Sequence, residues 1–178
     1  APMVVVPKKN NSIRICIDFS RLNQSVKRQI HPLPKVDYEL GQISSGKFFT
    51  KLDANSGFWQ VPLSEQCRDL TTFLSPFGRF RCTRLPFGVS SAPEHFHKRI
   101  AVILADLPNV IHHMDDILIW GSSRKEHDQH LKIVLDRLRK AKVTLNEEKS
   151  DICTTSVKFL GHMLSFLNND FKLSNDFC

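Results

Sequence analysis

No stretch of this 178-residue chain approaches the apolar run that crosses a bilayer as a helix, so a helical membrane span is excluded. An initiator methionine and a secretory signal are both missing. The chain begins Ala1-Pro2-Met3 and reads as an interior fragment of something longer, or as a partial gene. Cysteine is scarce: Cys16, Cys67, Cys82, Cys153 and Cys178 are odd in number and include no close pair. That excludes a disulfide framework or a zinc knuckle and fits a reducing, intracellular setting, the cytoplasm. Internal repeats and low-complexity linkers are absent too. Histidines occur in near pairs (His95 and His97, His112 and His113, His127 and His130) but without a cysteine pair or an HExxH helix, so they read as surface or packing residues.

Hydrophobic residues make up 41% of the chain and charged ones 24%, which allows a sizeable core in one domain or two closely packed subdomains. Net charge is +7. Lysine and arginine replace counterions along phosphates, so nucleic acid is one reading of the excess and a plain basic surface the other. Ile13, Ile15 and Ile17 alternate with Arg14, Cys16 and Asp18, the period of a half-buried strand. With residues 2–7 and a turn at Lys8-Lys9-Asn10-Asn11 they make a hairpin with a basic tip. Residues 20–34 look irregular and 35–44 form a short helix. Lys47–Leu52 is a strand delivering Asp53. Ser64 caps a short helix containing Glu65 and Arg68. Thr71–Leu74 and Phe80–Thr83 flank a turn at Ser75-Pro76-Phe77-Gly78, and Leu85–Val89 is a loop. Ser91 starts a helix with Pro93 in its first turn. Val110–His112 and Ile117–Trp120 are strands, residues 124–141 an amphipathic helix, and the rest to about Leu164 short strands. From Phe166 onward the pattern is polar and ambiguous. The fold class is α+β, one mostly antiparallel sheet backed by helices.

The informative feature is a carboxylate pair in a tight hairpin, Met114-Asp115-Asp116, flanked by apolar strands. Adjacent aspartates repel and resist burial, so a cation is the natural compensation. A turn of convenience would more often carry Asn-Gly or Asp-Gly. If neighbouring strands bring Asp53 beside Asp115, the oxygens suit Mg²⁺, and two such ions clamp the attacking and leaving oxygens of a phosphoryl displacement. Side chains alternate along a strand, so Asp115 is expected to be the shared ligand and Asp116 an assistant. Solvated turn residues would explain a lone Asp-Asp better than a metal site does; other segments decide the matter.

Those segments are Arg14-Ile15-Cys16-Ile17-Asp18-Phe19 with Arg21-Leu22-Asn23, Leu52–Leu63, Leu85–Pro93, Met114-Asp115-Asp116, Val143–Asn146 with Glu148-Lys149, and Phe159-Leu160-Gly161-His162. Over about residues 3–164, in uninterrupted order, they resemble the reverse transcriptases of the Ty3/gypsy class of long-terminal-repeat retrotransposons, and more distantly the retroviral enzymes. The resemblance implies a right-hand polymerase: fingers over about 1–46 and 64–87, including a fingers hairpin, and palm over about 47–63 and 88–164. Residues 165–178 are then a polar tail without assignment. A thumb is expected to be absent, and with it processive synthesis.

The resemblance also implies roles. Asp53, Asp115 and Asp116 are the catalytic, metal-binding triad for two Mg²⁺ ions, with Mn²⁺ as a substitute. Arg14, with Lys8 or Lys9, lies over the incoming triphosphate, where a guanidinium bridges phosphate oxygens. Ala54, Phe58, Phe87 and Gly88 line the deoxynucleotide pocket, Phe58 excluding a 2′-hydroxyl and Gly88 letting the backbone come close. Lys149 is the candidate proton donor to pyrophosphate, though with Glu147 and Glu148 it also reads as a solvated face. His113, Met114, Gly161 and His162 contact the primer; His113 departs from the tyrosine common at its position, and both are planar and hydrogen-bond. Implied partners are an RNA template, a DNA or RNA primer and deoxynucleoside triphosphates. Ribonuclease H and integrase parts are expected in the full polyprotein, and virus-like particles are an alternative setting to free cytoplasm. Against this polymerase reading stand a decayed copy that only binds RNA or RNA–DNA hybrid, an RNA-synthesising palm enzyme (which Phe58 argues against), and a two-metal nuclease, which leaves Arg14, Phe58 and Leu85–Pro93 unexplained.

Overall fold

Burial along one strand sets the frame. In Phe48–Ala54, Phe49, Thr50, Leu52 and Ala54 are buried while Lys51 and Asp53 are half-buried, so a strand covered on both sides ends in a charged edge. The structure, a computed structural model, describes residues 1–7, 13–27, 36–41, 43, 46–167 and 170–175. In chain order its elements are β1 (Met3–Pro7), β2 (Ile13–Ile17), α1 (Ser20–Asn23), α2 (Val36–Gly41) and β3 (Phe48–Ala54). A 3₁₀ turn at Gly57–Gln60, α3 (Glu65–Arg68), a second 3₁₀ turn at Asp69–Thr71, β4 (Phe73–Ser75) and β5 (Gly78–Phe80) follow. Then come α4 (Ala92–Ile103), β6 (Val110–His113), β7 (Asp116–Gly121), α5 (Arg124–Lys140), β8 (Leu145–Thr154), β9 (Ser156–Phe159), β10 (His162–Leu167) and β11 (Asp170–Asn175). The chain divides into two compact units, Ala1–His31 with Ser56–Phe96, and Pro32–Asn55 with His97–Cys178. No helix among the described residues is long and apolar enough to cross a membrane.

The second unit is built on an antiparallel sheet of order β6-β7-β3-β8. Cross-strand partners share a face. Phe49, Lys51 and Asp53 lie opposite Trp120, Leu118 and Asp116, whereas Thr50 and Leu52 lie opposite Ile119 and Ile117 on the other face. The first face joins a core of Leu40, Ile43, Phe49, Ile111, Leu118, Trp120, Val157, Phe159 and Leu164. On the second face Thr50 meets the buried His127 of α5. Because β7 is covered on both sides, Ile117–Trp120 is apolar without alternation. Helix α5 forms where the amphipathic pattern predicts it. Ser123 accepts from Glu126 N–H, and the Glu126 carboxylate accepts from Ser122 N–H at 2.9 Å, so two orphan donors of the first turn are satisfied reciprocally. Those hydrogen bonds from Ser122 hold the Glu126 carboxyl below its ordinary range.

In the first unit β1 and β2 pair from Met3 with Ile17 to Pro7 with Ile13, as the alternation predicts; the basic tip with Lys8 and Lys9 lies outside the described residues. Some local expectations need correction. Ser20–Asn23 is helical, started by the Asp18 carboxylate, which accepts from Ser20 N–H at 2.9 Å. Ser64 stands at the N-cap of α3 without a capping side-chain hydrogen bond. The hairpin is shorter than expected, with Phe73 opposite Phe80, because Asp69–Thr71 is drawn into a 3₁₀ turn where Thr71 Oγ1 donates to Arg68 O. In the second unit the ambiguous end of the sequence pairs as β11 with β10, Leu164 opposite Leu173. Lys172, Leu173 and Ser174 are exposed there.

Gly121 closes β7 where α5 begins. A Cβ there would meet the His127 backbone at 2.6 Å, and backbone cannot rotate away. Gly121→Ala is expected to cost about 1–3 kcal/mol in urea unfolding, the scale of overpacking a dense core; an unchanged midpoint would mean that α5 shifts freely.

Candidate active site

The carboxylates come together through register. Asp53 and Asp116 are direct partners across β3 and β7, and Ala54 N–H donates to Asp115 O at 2.7 Å. His113 pairs with Asp116, so Met114 and Asp115 are the two residues of the turn. Met114 has φ +53°, the left-handed region that a side chain enters at a cost of roughly 1–2 kcal/mol. Strain of this kind persists where the surroundings over-determine it. Asp53 N–H is anchored from the third strand by Ser150 Oγ at 3.2 Å, and Ser150 Oγ donates in turn to Asn146 O.

Electrostatically the cluster is under-compensated. Burial pushes the Asp115 carboxyl above its ordinary range, and the Asp53 and Asp116 charges push it further, against a counter-pull from Lys149. Burial also raises Asp116, partly offset by Lys51, with Asp53 adding to the rise. Asp115 Oδ1 is buried with no hydrogen-bond partner among the described residues. Lys149 Nζ stands 3.8 Å from Asp53 Oδ1, and Lys51 Nζ 3.6 Å from Asp151 Oδ2. The oxygens of Asp53, Asp115 and Asp116 do not all gather within 4.8 Å of one another; the trio of such groups that does, among the described residues, is His127, Asp128 and Cys153. Three carboxylates repel one another here, and the cations acting on them are the exposed Lys149 and the half-buried Lys51.

The turn is backed by rings: buried His97 lies 4.4 Å from His112 and 6.4 Å from His113, centre to centre. Leu160 and Gly161, with φ +51° and +77°, form the β9–β10 turn, and His162 opens β10 opposite Phe159. Lys51 and Ser150 were not singled out by sequence reasoning, and His97 was read there as a surface or packing residue. Lys51 was legible, standing two residues before Asp53 on the same face of a strand. The other two depend on strand pairing and helix packing.

Phe58, Phe87 and Gly88 belong to the first unit. Phe58, half-buried, packs against Phe87 at 5.1 Å and Phe96 at 6.0 Å, and Trp59 against Phe87 at 5.7 Å. Gly88 has φ +96°, and a Cβ on it would meet Ile17 O at 2.9 Å. So both conformation and the close passage of β2 demand glycine. Asn23 holds this loop from two sides: Nδ2 donates to Gly88 O at 2.8 Å and Oδ1 accepts from Ser90 N–H at 2.9 Å. Asn23 stood in the sequence pattern without a role; this clamp supplies one. The Arg14 backbone lies in β2; its side chain, like Lys8 and Lys9, is outside the described residues.

Comparison with known proteins gives this geometry its family. Residues 6–164 match the model of the reverse transcriptase (RNA-dependent DNA polymerase) family, whose members generally use divalent metal ions. The transposon Tf2-3 polyprotein of Schizosaccharomyces pombe is 36% identical over 166 residues, covering 92% of this chain and 12% of that polyprotein. The chain thus spans only a small part of the curated relatives it matches. A solved foamy viral protease-reverse transcriptase in complex with double-stranded DNA superposes with a TM-score of 0.89 at 24% identity, over 97% of this chain and 30% of that one. A second, in complex with an RNA/DNA hybrid, gives 0.86 at 25% identity over 92% and 22%. These likenesses agree with the α+β fold and with six ordered motifs read from the residues: the chain belongs to the reverse transcriptase family.

Proposed function

We propose that this chain is the polymerase part of a Ty3/gypsy-class retrotransposon polyprotein and adds deoxynucleotides to a primer 3′-hydroxyl on an RNA template. The observation that carries the proposal is the carboxylate arrangement: Asp53 opposite Asp116, Asp115 at the strained turn, and one buried Asp115 oxygen without a hydrogen-bond partner among the described residues. The relative that was solved on an RNA/DNA hybrid supports the choice of substrate class.

The residues fit a divalent cation. Carboxylates raised by burial and mutual repulsion are what a bound dication relieves, and an all-oxygen set selects Mg²⁺, with Mn²⁺ able to replace it. Asp53, Asp115 and Asp116 would hold two such ions, which would supply positive charge to the attacking 3′-oxygen and the departing pyrophosphate. Asp115 and Asp116 hold fixed directions through the β6–β7 turn, so their charge is placed before substrate arrives. Lys149, paired with Asp53 and exposed, can carry a proton to the leaving group. Phe58, wedged against Phe87 and Phe96, would exclude a 2′-hydroxyl, and Phe87 and Gly88 would line the nucleotide. Arg14, Lys8 and Lys9 bind triphosphate oxygens, and His113, Met114, Gly161 and His162 the primer. Sequence choice comes from template pairing.

Single-nucleotide addition tests this. Purified chain is given an RNA template, a DNA primer, Mg²⁺ and one labelled deoxynucleotide. Addition by the parent and none by Asp115→Asn is the expected result. Phe58→Ala should keep addition and admit the matching ribonucleotide. Salt-sensitive hybrid binding without addition by either chain would replace the proposal with a binding module.

The raised carboxyls give an independent prediction. A carboxyl whose folded pKa is raised contributes stability below its unfolded value and loses it as pH rises through the folded one. Without divalent ions, Asp115 and Asp116 therefore oppose folding near neutrality. Asp115→Asn should melt higher than the parent at about pH 7, the gap closing towards about pH 4, where aspartates protonate. Added Mg²⁺ should raise the parent's melting temperature more than the variant's. A variant that melts lower at neutral pH would show that the Asp115 charge is already compensated within the chain.

A further inference from the structure

The opposite side of the central sheet carries a cluster that nucleotidyl transfer leaves unused. His127, in the first turns of α5, is fully buried. Its Nε2 lies 2.8 Å from Thr50 Oγ1 and its Nδ1 2.9 Å from Asp128 Oδ1. Cys153 of β8 donates its N–H to the same Thr50 hydroxyl at 2.9 Å. Thr50 and Asp53 are an odd number of residues apart on β3, so they face opposite sides.

Cys153 reaches this cluster because β8 is irregular there. Phe49 pairs with Thr154 but Lys51 with Asp151, so β8 carries an extra residue between them, and Cys153 has φ +54°. A bulge takes one side chain out of alternation and re-aims it. As a result one imidazole nitrogen, one Asp128 carboxylate oxygen and the Cys153 sulfur all lie within 4.8 Å of one another.

We infer that His127, Asp128 and Cys153 form a binding site for a zinc-class transition-metal ion, with a fourth position open to water. The donor set decides the metal. Bonds of roughly 2.0–2.3 Å to nitrogen, oxygen and sulfur put neighbouring ligands about 3–4 Å apart, within reach by side-chain rotation. Thiolate and imidazole favour zinc, cobalt or copper, whereas magnesium demands oxygen donors in an octahedron. The two faces of β3 therefore sort metals by hardness. Asp128 is half-exposed and gives the ion an entry path; its long surface contact with Arg124, 3.7 Å, is the kind of pair that yields readily.

Protons balance simply. In the metal-free chain Nδ1–H donates to Asp128 and the Thr50 hydroxyl donates to Nε2. On binding, the imidazole proton moves to Nε2 and is accepted by Thr50 Oγ1, whose hydroxyl hydrogen turns aside. The Cys153 thiol releases its proton to solvent. Thr50 thereby orients the ring, as outer partners of metal-bound histidines do, and the ion ties α5 to β8 across β3.

The test uses the full 178-residue chain, reduced and stripped with chelator, titrated with Co²⁺ and then Zn²⁺. With excess Mg²⁺ present to occupy the carboxylates, one Co²⁺ per chain is expected to give a thiolate-to-cobalt absorption band that Zn²⁺ displaces and Mg²⁺ does not. Calorimetry in buffers of different ionisation heat should show about one proton released per ion. Cys153→Ser should abolish the band, and Asp128→Ala should weaken binding by at least about tenfold. Both variants should fold: serine is close to cysteine in size and Asp128 is half-exposed, and circular dichroism checks this. A band that survives Cys153→Ser, or no band in the parent, overturns the inference.

Discussion

The antiparallel pairing of β3 with β7 is the constraint on which everything else in the second unit rests. It places Asp53 directly across from Asp116 and lays Phe49, Leu118 and Trp120 on one apolar floor below them. A slip by one residue would exchange the two faces of either strand. Phe49 and Leu118 would leave the core, and Thr50 would lose His127. Register is thus enforced by burial, and the charged end inherits its geometry from the apolar end. The carboxylates do not set the register themselves, which is how a buried oxygen of Asp115 can stand without a hydrogen-bond partner among the described residues.

Where a residue's environment is set by its own element, the sequence spoke clearly. The period-two run at Ile13–Ile17, the apolar core of β7 and the stripe of α5 each predict their element to within a few residues. The Asp-Asp hairpin was legible because two like charges between apolar strands violate local sense, and such violations collect at functional positions. Less legible were features made by pairing at a distance. Asn23 gives no sign of clamping a loop 65 residues away, and Ser150 none of reaching the Asp53 backbone. The strand at Asp170–Asn175 offers only Phe171 and Leu173 as an alternation, too short among polar residues to mark a strand by itself.

Histidine shows the same division from another side. His127 occurs in a spacing that suggests nothing, and burial makes it informative: a ring with no exposed surface needs partners at both nitrogens, and it has them in Thr50 and Asp128. His97 and His112 likewise become meaningful only once α4 and β6 bring their rings together, beside His113, for which the family resemblance implied a primer contact. Residue type alone placed all of these among ordinary packing residues. The three rings back the β6–β7 turn, while His127 ties α5 to the central strand.

Neither compact unit is a continuous stretch of chain; each is assembled from two segments, with Pro32–Asn55 interrupting the first unit and Ser56–Phe96 the second. During synthesis, β3 therefore emerges long before β7 and longer still before β8. Its residues have no native strand partner until β7 has been made. Loop closure over such separations slows folding relative to local hairpins. The β1–β2 and β4–β5 hairpins can form early, whereas the carboxylate arrangement is among the last features to assemble. A ribosome-bound intermediate would carry finished hairpins beside an unpaired apolar strand, the kind of surface that chaperones recognise.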